Sequence, residues 1–269
     1  MQAIQSTAQV PLATDHANGQ STVVCLHSSA SSSRQWKRLR ETWDDHHVVT
    51  PDLMGYGELP WSGERPHGMQ DEVDAITAVL DSIHQPVHLV GHSFGGAVAT
   101  LAALSNPDKV RTLTLYEPVL FPLLFEAGRS SGREIWSLQT DVRRLVNRGN
   151  KNLAAKRFVD YWNGEAAFKS LPEKVQQHIV RIIPKVASEF IALISSNLGT
   201  NDLRALGIPT LLMYGKCSPK PTRDIVELLS GILPRSTVVG IENTGHMGPI
   251  SEADHVNSLI AAFIRDHAA

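Results

Sequence analysis

Cysteine is almost absent: Cys25 and Cys217 are the only two in 269 residues, too few for a disulfide framework or a cysteine-rich metal site. Cys25 lies inside an apolar run, as a buried reduced thiol would. An excess of charge of either sign is also missing, since 25 Lys and Arg stand against 27 Asp and Glu for a formal net charge of −2. Neither nucleic acid nor an anionic membrane is therefore an expected partner. Long hydrophobic runs are lacking too. The stretch from Leu259 to Ile264 falls far short of the roughly 18–20 apolar residues that span a bilayer. The first ten residues carry neither a basic start nor a hydrophobic segment, so no secretory signal is expected and a cytoplasmic location is the default. His46, His47 and His67 have no partner carboxylates at metal-ligand spacing, so no metal is expected.

What is present is the composition of a compact globule, 42% hydrophobic and 19% charged. The length suits one large α/β domain carrying an insertion. Short runs rich in Val, Leu, Ile and Thr alternate with segments whose apolar residues recur every three or four positions, the pattern of parallel strands joined by crossover helices. Strands are predicted at Ser21 to His27, His47 to Leu53, Val87 to Gly91, Val110 to Tyr116, Thr210 to Tyr214 and Thr237 to Ile241. An earlier pair is expected within Ala3 to Ala13, before the turn at Asn18-Gly19. Helices are predicted at Arg34 to Trp43, Gln70 to Ile83, Phe94 to Leu104, Thr222 to Leu229 and Ala253 to Ile264. From about Leu120 to Thr200 the alternation stops, and Ile135, Leu138, Val142 and Leu145 keep a helical period with no strand between. An insertion between the strand ending at Tyr116 and the one starting at Thr210 should sit over the carboxyl edge of the sheet, where open α/β folds bind ligands. This predicts a core of residues 1–119 and 201–269 and a helical cap of residues 120–200.

Gly91-His92-Ser93-Phe94-Gly95-Gly96 follows a strand and opens an Ala-rich helix, the setting that a G-x-S-x-G elbow needs. Glycines on either side allow a sharp turn that projects the Ser93 hydroxyl, with a helix N-terminus beneath it. A Gly-rich turn with an incidental serine is the bland alternative. A serine hydroxyl needs a base, and with the order Ser, acid, His the base falls near the C-terminus. His246, in Asn243-Thr244-Gly245-His246-Met247-Gly248 just after the last strand, meets that requirement.

These motifs, together with Pro51-Asp52-Leu53-Met54-Gly55-Tyr56-Gly57, make the chain resemble the α/β-hydrolase superfamily over nearly its whole length except the cap. The resemblance implies an eight-stranded, mostly parallel sheet, with Ser93 after the fifth strand, the cap after the sixth and His246 after the eighth. The chain departs from the family at the third residue. Most relatives carry an Asp in the loop after the seventh strand, whereas Tyr214-Gly215-Lys216-Cys217-Ser218-Pro219 has Ser218 at that place. Glu117, ending the sixth strand in Leu115-Tyr116-Glu117-Pro118, is the favoured substitute, because some family members, certain haloalkane dehalogenases among them, take the acid from that strand. Asp224 competes, although it is expected one turn inside a helix and facing solvent. A Ser-His dyad, or a Glu117 that meets only water or an Arg, stays open.

For the oxyanion, the backbone N–H of Phe94 and one from the loop after the first predicted strand are expected. Relatives usually have His-Gly in that loop; here His27-Ser28-Ser29-Ala30 makes Ser29 the matching donor, and Ser28 adds a hydroxyl that could meet substrate. The serines from Ser28 to Ser33 also suit a helix cap. His27 and His92 read as braces for the loops. Trp162, Tyr161 and Phe168 are aromatic residues that line a substrate pocket or pack in the core, with Trp162 taken as the substrate contact. The reading is a serine hydrolase of a small-molecule carboxylic ester that needs no cofactor. Its rivals are a C–C bond hydrolase of vinylogous diketones and a binding protein on a hydrolase scaffold.

Overall fold

The computed structural model describes residues 21–57, 59, 61, 68–196 and 198–267. Six strands, β1 (Thr22–Leu26), β2 (His47–Val49), β3 (Val87–His92), β4 (Val110–Tyr116), β5 (Thr210–Gly215) and β6 (Ser236–Ile241), form one sheet. Its order is β2-β1-β3-β4-β5-β6 and every pairing is parallel. The described residues thus hold six strands, not eight. The early pair expected within residues 3–13 lies outside them, as does His67. All of β1 and β3 is buried, as strands covered on both faces are; β1 is nearly all apolar or β-branched, and His88 within β3 bonds Thr112 Oγ1 at 2.8 Å. The strand predicted from His47 to Leu53 stops at Val49. Pro51 has no N–H to donate to a ladder.

Twelve helices accompany the sheet among the described residues: α1 (Lys37–Thr42), α2 (Met69–Asp81), α3 (Phe94–Ser105), α4 (Pro122–Glu126), α5 (Ser131–Asn147), α6 (Lys151–Asn163), α7 (Ala167–Ser170), α8 (Glu173–Ile194), α9 (Thr200–Arg204), α10 (Lys220–Ile232), α11 (Gly248–Ser251) and α12 (Ala253–Arg265). One sheet face packs Leu26, Leu89, Leu113 and Leu115 against α2 and α3, in a core continuous with Ile135, Ile183 and Phe190 of the helices between β4 and β5. The other packs Val23, Cys25, Val90 and Met213 against Val256 and Ile260 of α12. Burial pushes the Cys25 thiol pKa up, so it stays protonated and inert. No helix among the described residues is long and apolar enough to cross a membrane.

Two features of this topology position the site. In-register pairing of His92 with Tyr116, Tyr116 with Met213 and Gly215 with Ile241 ends four neighbouring strands at one edge. The chain also reverses its direction of travel across the sheet between β1 and β3, which opens a crevice at that edge. The loops after β1 and β3 flank it. Helices α4 to α9 follow the carboxyl end of β4 at that edge and precede β5 in the chain.

Candidate active site

β3 runs straight into the elbow, and Ser93 has φ 55° and ψ −116°, a conformation that L-residues rarely adopt. A Cβ on Gly91 would lie 2.5 Å from the Gly95 carbonyl oxygen, and one on Gly95 would lie 2.4 Å from the His27 oxygen. Both glycines are therefore required by close approach of backbone. The Ser93 N–H donates to the Tyr116 oxygen at 3.0 Å, tying the elbow to β4.

Glu117 follows Tyr116 with φ 46°. That kink turns its side chain along the sheet edge, where Oε1 accepts the Gly215 N–H at 2.8 Å and Oε2 faces His246 Nδ1 at 2.6 Å. On the far side of the ring, His246 Nε2 is 3.0 Å from Ser93 Oγ. With Nδ1–H given to a carboxylate, Nε2 is the nitrogen left to accept the serine proton. Ser93, His246 and Glu117 thus form one hydrogen-bonded run, all three buried. The loop after β6 holds the ring in place through its backbone: His92 Nε2–H donates to the His246 oxygen at 2.8 Å, and the Tyr116 hydroxyl donates to the Gly245 oxygen at 2.7 Å. Trp162 of α6 stacks on the imidazole, centroids 4.5 Å apart and 26° between planes. Of the five non-glycine residues with positive φ among the described residues, Ala30, Ser93, Glu117 and Asn243 lie in the four loops that meet here. Backbone strain is concentrated at this edge.

Asp224 is not the partner of His246. It lies one turn inside α10 as predicted, but it is buried rather than facing solvent. Its carboxylate accepts from the Ser131 hydroxyl and, at 2.6 Å, from Lys220. Burial pushes its pKa up, yet the bonds from Lys220 and Ser131 together leave it lowered.

The loop after β1 is braced as His27 was expected to do. The Leu53 N–H donates to His27 Nε2 at 3.0 Å, so Nδ1 carries the proton and donates to the Ser28 oxygen at 2.8 Å. Burial lowers the pKa of both His27 and His92 and favours the neutral rings these bonds require. Ser28 does not line the cavity: its N–H and its hydroxyl both donate to Gln35 Oε1 at 3.0 Å. Among the described residues the Ser29 N–H makes no hydrogen bond, and Phe94, the residue after the nucleophile, is the first of α3. Ser32 caps the short turn that follows, accepting the Arg34 N–H at 3.4 Å.

A cavity of about 20 Å³ opens beside Ser93, walled by Ser29, Val119, Phe121, Phe158, Trp162 and Glu189, with Val186, Phe190 and Leu193 completing it. Trp162 lines it, whereas Phe168 is buried in the core and Tyr161 reaches toward Glu134. Glu189 and Gln35 were not singled out from the sequence. The usable signal for Glu189 was that it and Lys185 adjoin Phe190 and Val186 on an apolar helix face. Among the described residues, no cluster of three or more His, Cys, Asp or Glu is placed to hold a metal ion.

The sequence profile described as the alpha/beta hydrolase family matches residues 23–257. The chain belongs to this family. Lipase LipV of Mycobacterium tuberculosis is 38% identical to this hydrolase over 104 residues, 38% of this chain and 39% of LipV. A 2-hydroxymuconate semialdehyde hydrolase of Pseudomonas sp. is 23% identical over 262 residues, 91% of this chain and 87% of the relative. Among solved structures, a thermophilic esterase from Thermogutta terrifontis superposes with a TM-score of 0.75 at 25% identity, covering 92% of this chain and 90% of that one. Lipases, esterases and other hydrolases are thus the relatives of this chain.

Proposed function

We propose that this hydrolase cleaves small carboxylic esters through an acyl-enzyme on Ser93. The observation that carries the reading is the hydrogen-bonded run from Ser93 through His246 to Glu117. His246 Nε2 takes the Ser93 proton as Oγ bonds to the carbonyl carbon, and the carbonyl electron pair moves onto oxygen. The Phe94 and Ser29 amides receive that oxyanion. The tetrahedral adduct collapses, the C–O bond to the alcohol breaks, and the alcohol leaves with the proton from His246. Water then gives a proton to His246, attacks the acyl carbon and releases the acid, and Ser93 recovers its proton. Glu117 keeps Nδ1 protonated and offsets the imidazolium charge at each transfer.

The cavity sets the acyl length. At about 20 Å³ it is small, which favours a short acyl group such as acetyl. The proposal includes a helical cap of residues 120–200 over a core of residues 1–119 and 201–269, a small ester as the partner, and action in the cytoplasm. The Glu117 bond to His246 speaks against a binding protein on a hydrolase scaffold, a rival that the absence of an acid after β5 had made conceivable. The muconate semialdehyde relative supports a second reading, C–C hydrolysis, and a ring-fission dienoate assayed beside p-nitrophenyl esters discriminates it. The test is a p-nitrophenyl ester panel from acetate to palmitate, with fluorophosphonate labelling. Acetate is expected to turn over fastest, and Ser93→Ala to lose the label and more than 99% of turnover. Retention of more than about a hundredth of wild-type turnover in Ser93→Ala refutes the nucleophile, whose loss ordinarily costs far more.

A further inference from the structure

Glu189, which lines the cavity beside Ser93, belongs to a charged cluster that ester chemistry does not use. Glu72 of α2 and Lys185 and Glu189 of α8 are 0%, 2% and 1% exposed. Lys185 Nζ donates to Glu189 Oε1 at 2.9 Å and to Glu72 Oε1 at 3.3 Å, and it sits 5.2 Å from the ring centres of both Tyr56 and Phe94. Glu72 Oε2 accepts the Met54 N–H at 3.1 Å from the loop after β2. Glu189 Oε2 accepts the Ser29 hydroxyl at 2.6 Å, a bond between residues 160 positions apart.

A buried ion cluster is a poor device for stability alone, since apolar residues of the same volume commonly serve as well. What this one does geometrically is hold a strained loop. Ala30, next to Ser29, has φ 58°, a left-handed conformation that an alanine keeps only where its surroundings impose it. The neighbouring tethers, from His27 and to Gln35, all grip Ser28. Among the described residues, the bond that grips Ser29 itself is the one to Glu189.

We propose that Glu189 is a positioning residue: through the Ser29 hydroxyl it fixes the Ser29 amide beside Ser93, so that α8 completes the oxyanion hole. The inference rests on the ester hydrolase reading of Ser93 and Ser29. Lys185 and Glu72 hold the Glu189 carboxylate at the right place, and the helices between β4 and β5 thereby govern the competence of an amide that belongs to the core.

The full-length enzyme, assayed on p-nitrophenyl acetate, supplies the test. Ser29→Ala removes the tether, keeps the backbone amide and leaves the ion cluster intact. Its kcat is expected to fall about 10- to 100-fold, less than outright removal of an oxyanion donor, with KM within twofold, because the oxyanion exists only in the transition state. Glu189→Leu should match it, Glu189→Gln, which retains an acceptor oxygen, should recover most of the loss, and the Ser29→Ala/Glu189→Leu double variant should be no slower than either single. Should Glu189→Leu fail to fold, Ser29→Ala and Glu189→Gln still decide the matter. Wild-type kcat in Ser29→Ala, an effect on KM alone, or multiplying losses in the double variant overturns the proposal. The two readings fail separately: if wild type and Ser93→Ala turn over alike, the ester reading is wrong, whereas Ser93-dependent turnover left intact by Ser29→Ala defeats only the positioning role.

Discussion

Glu117→Gln is the substitution that most sharply tests the site. The carboxylate is fully buried and makes two bonds, accepting the Gly215 N–H at 2.8 Å and bonding His246 Nδ1 at 2.6 Å. A glutamine has one oxygen and one NH₂ for these two positions. The Gly215 N–H can only donate, so the amide oxygen is drawn to it and the NH₂ is left facing Nδ1. The ring then accepts at Nδ1 and carries its proton on Nε2, aimed at Ser93 Oγ, where it cannot take the serine proton. The negative charge that offsets the imidazolium is lost as well. Together these effects cost up to about 10⁴ in turnover, equivalent to about 5 kcal/mol of barrier. The assay is kcat on p-nitrophenyl acetate, with thermal unfolding to show that the fold persists. Ser218→Asp in the same background, in the turn whose Gly215 already meets Glu117, should recover part of the loss. Turnover above about a third of wild type, too little loss for a triad acid, refutes the assignment.

Asp224→Asn should leave kcat within twofold, because its partners are Ser131 and Lys220, but it should lower stability by about 1–3 kcal/mol by weakening a buried charged bond; chemical denaturation with parallel kinetics checks both. Burial lowers the pKa of His27, His88 and His92 in the folded state, His88 to about 4, whereas the unfolded chain protonates near 6.5. The unfolded state therefore binds more protons below pH 6.5, and stability is full above that value and falls as pH drops toward 4. An unfolding temperature that stays flat from pH 7 to 4.5 contradicts this. Trp162→Ala should widen the cavity and remove the stack on His246, lowering acetate turnover about tenfold while raising hexanoate relative to acetate; an unchanged acyl profile contradicts Trp162 as a wall of the cavity.

Some of this molecule was legible because the constraint is local. Gly91, Ser93 and Gly95 announce the elbow, since a backbone that approaches within 2.4–2.5 Å of where a Cβ would lie admits only glycine. β1 and β3 were readable from their Val- and Leu-rich cores, because strands covered on both faces are mostly apolar. The helical period between Glu117 and Thr210 likewise marked an insertion. Strand count was less legible: the sheet among the described residues has six strands, and β2 is shorter than its apolar pattern suggested.

Other assignments depended on contacts across the fold. Glu117 and Asp224 are both carboxylates near strand ends, and sequence could rank them but not separate them; in-register pairing of β4 with β5 and the φ of 46° at Glu117 put one on His246 and leave the other against Lys220. Ser28 and Ser29 are chemically alike and adjacent, yet one turns to Gln35 and the other to Glu189. Lys185 and Glu189 resemble a solvated surface pair until α2 and the loops after β1 and β2 close over them. The sequence by itself determined the family, the elbow and the histidine loop, because glycine placement and hydrophobic period act within a few residues. Only the tertiary structure decided which acid meets the histidine, which serine meets the cavity and which charges are buried, because those bonds join segments tens to more than a hundred residues apart.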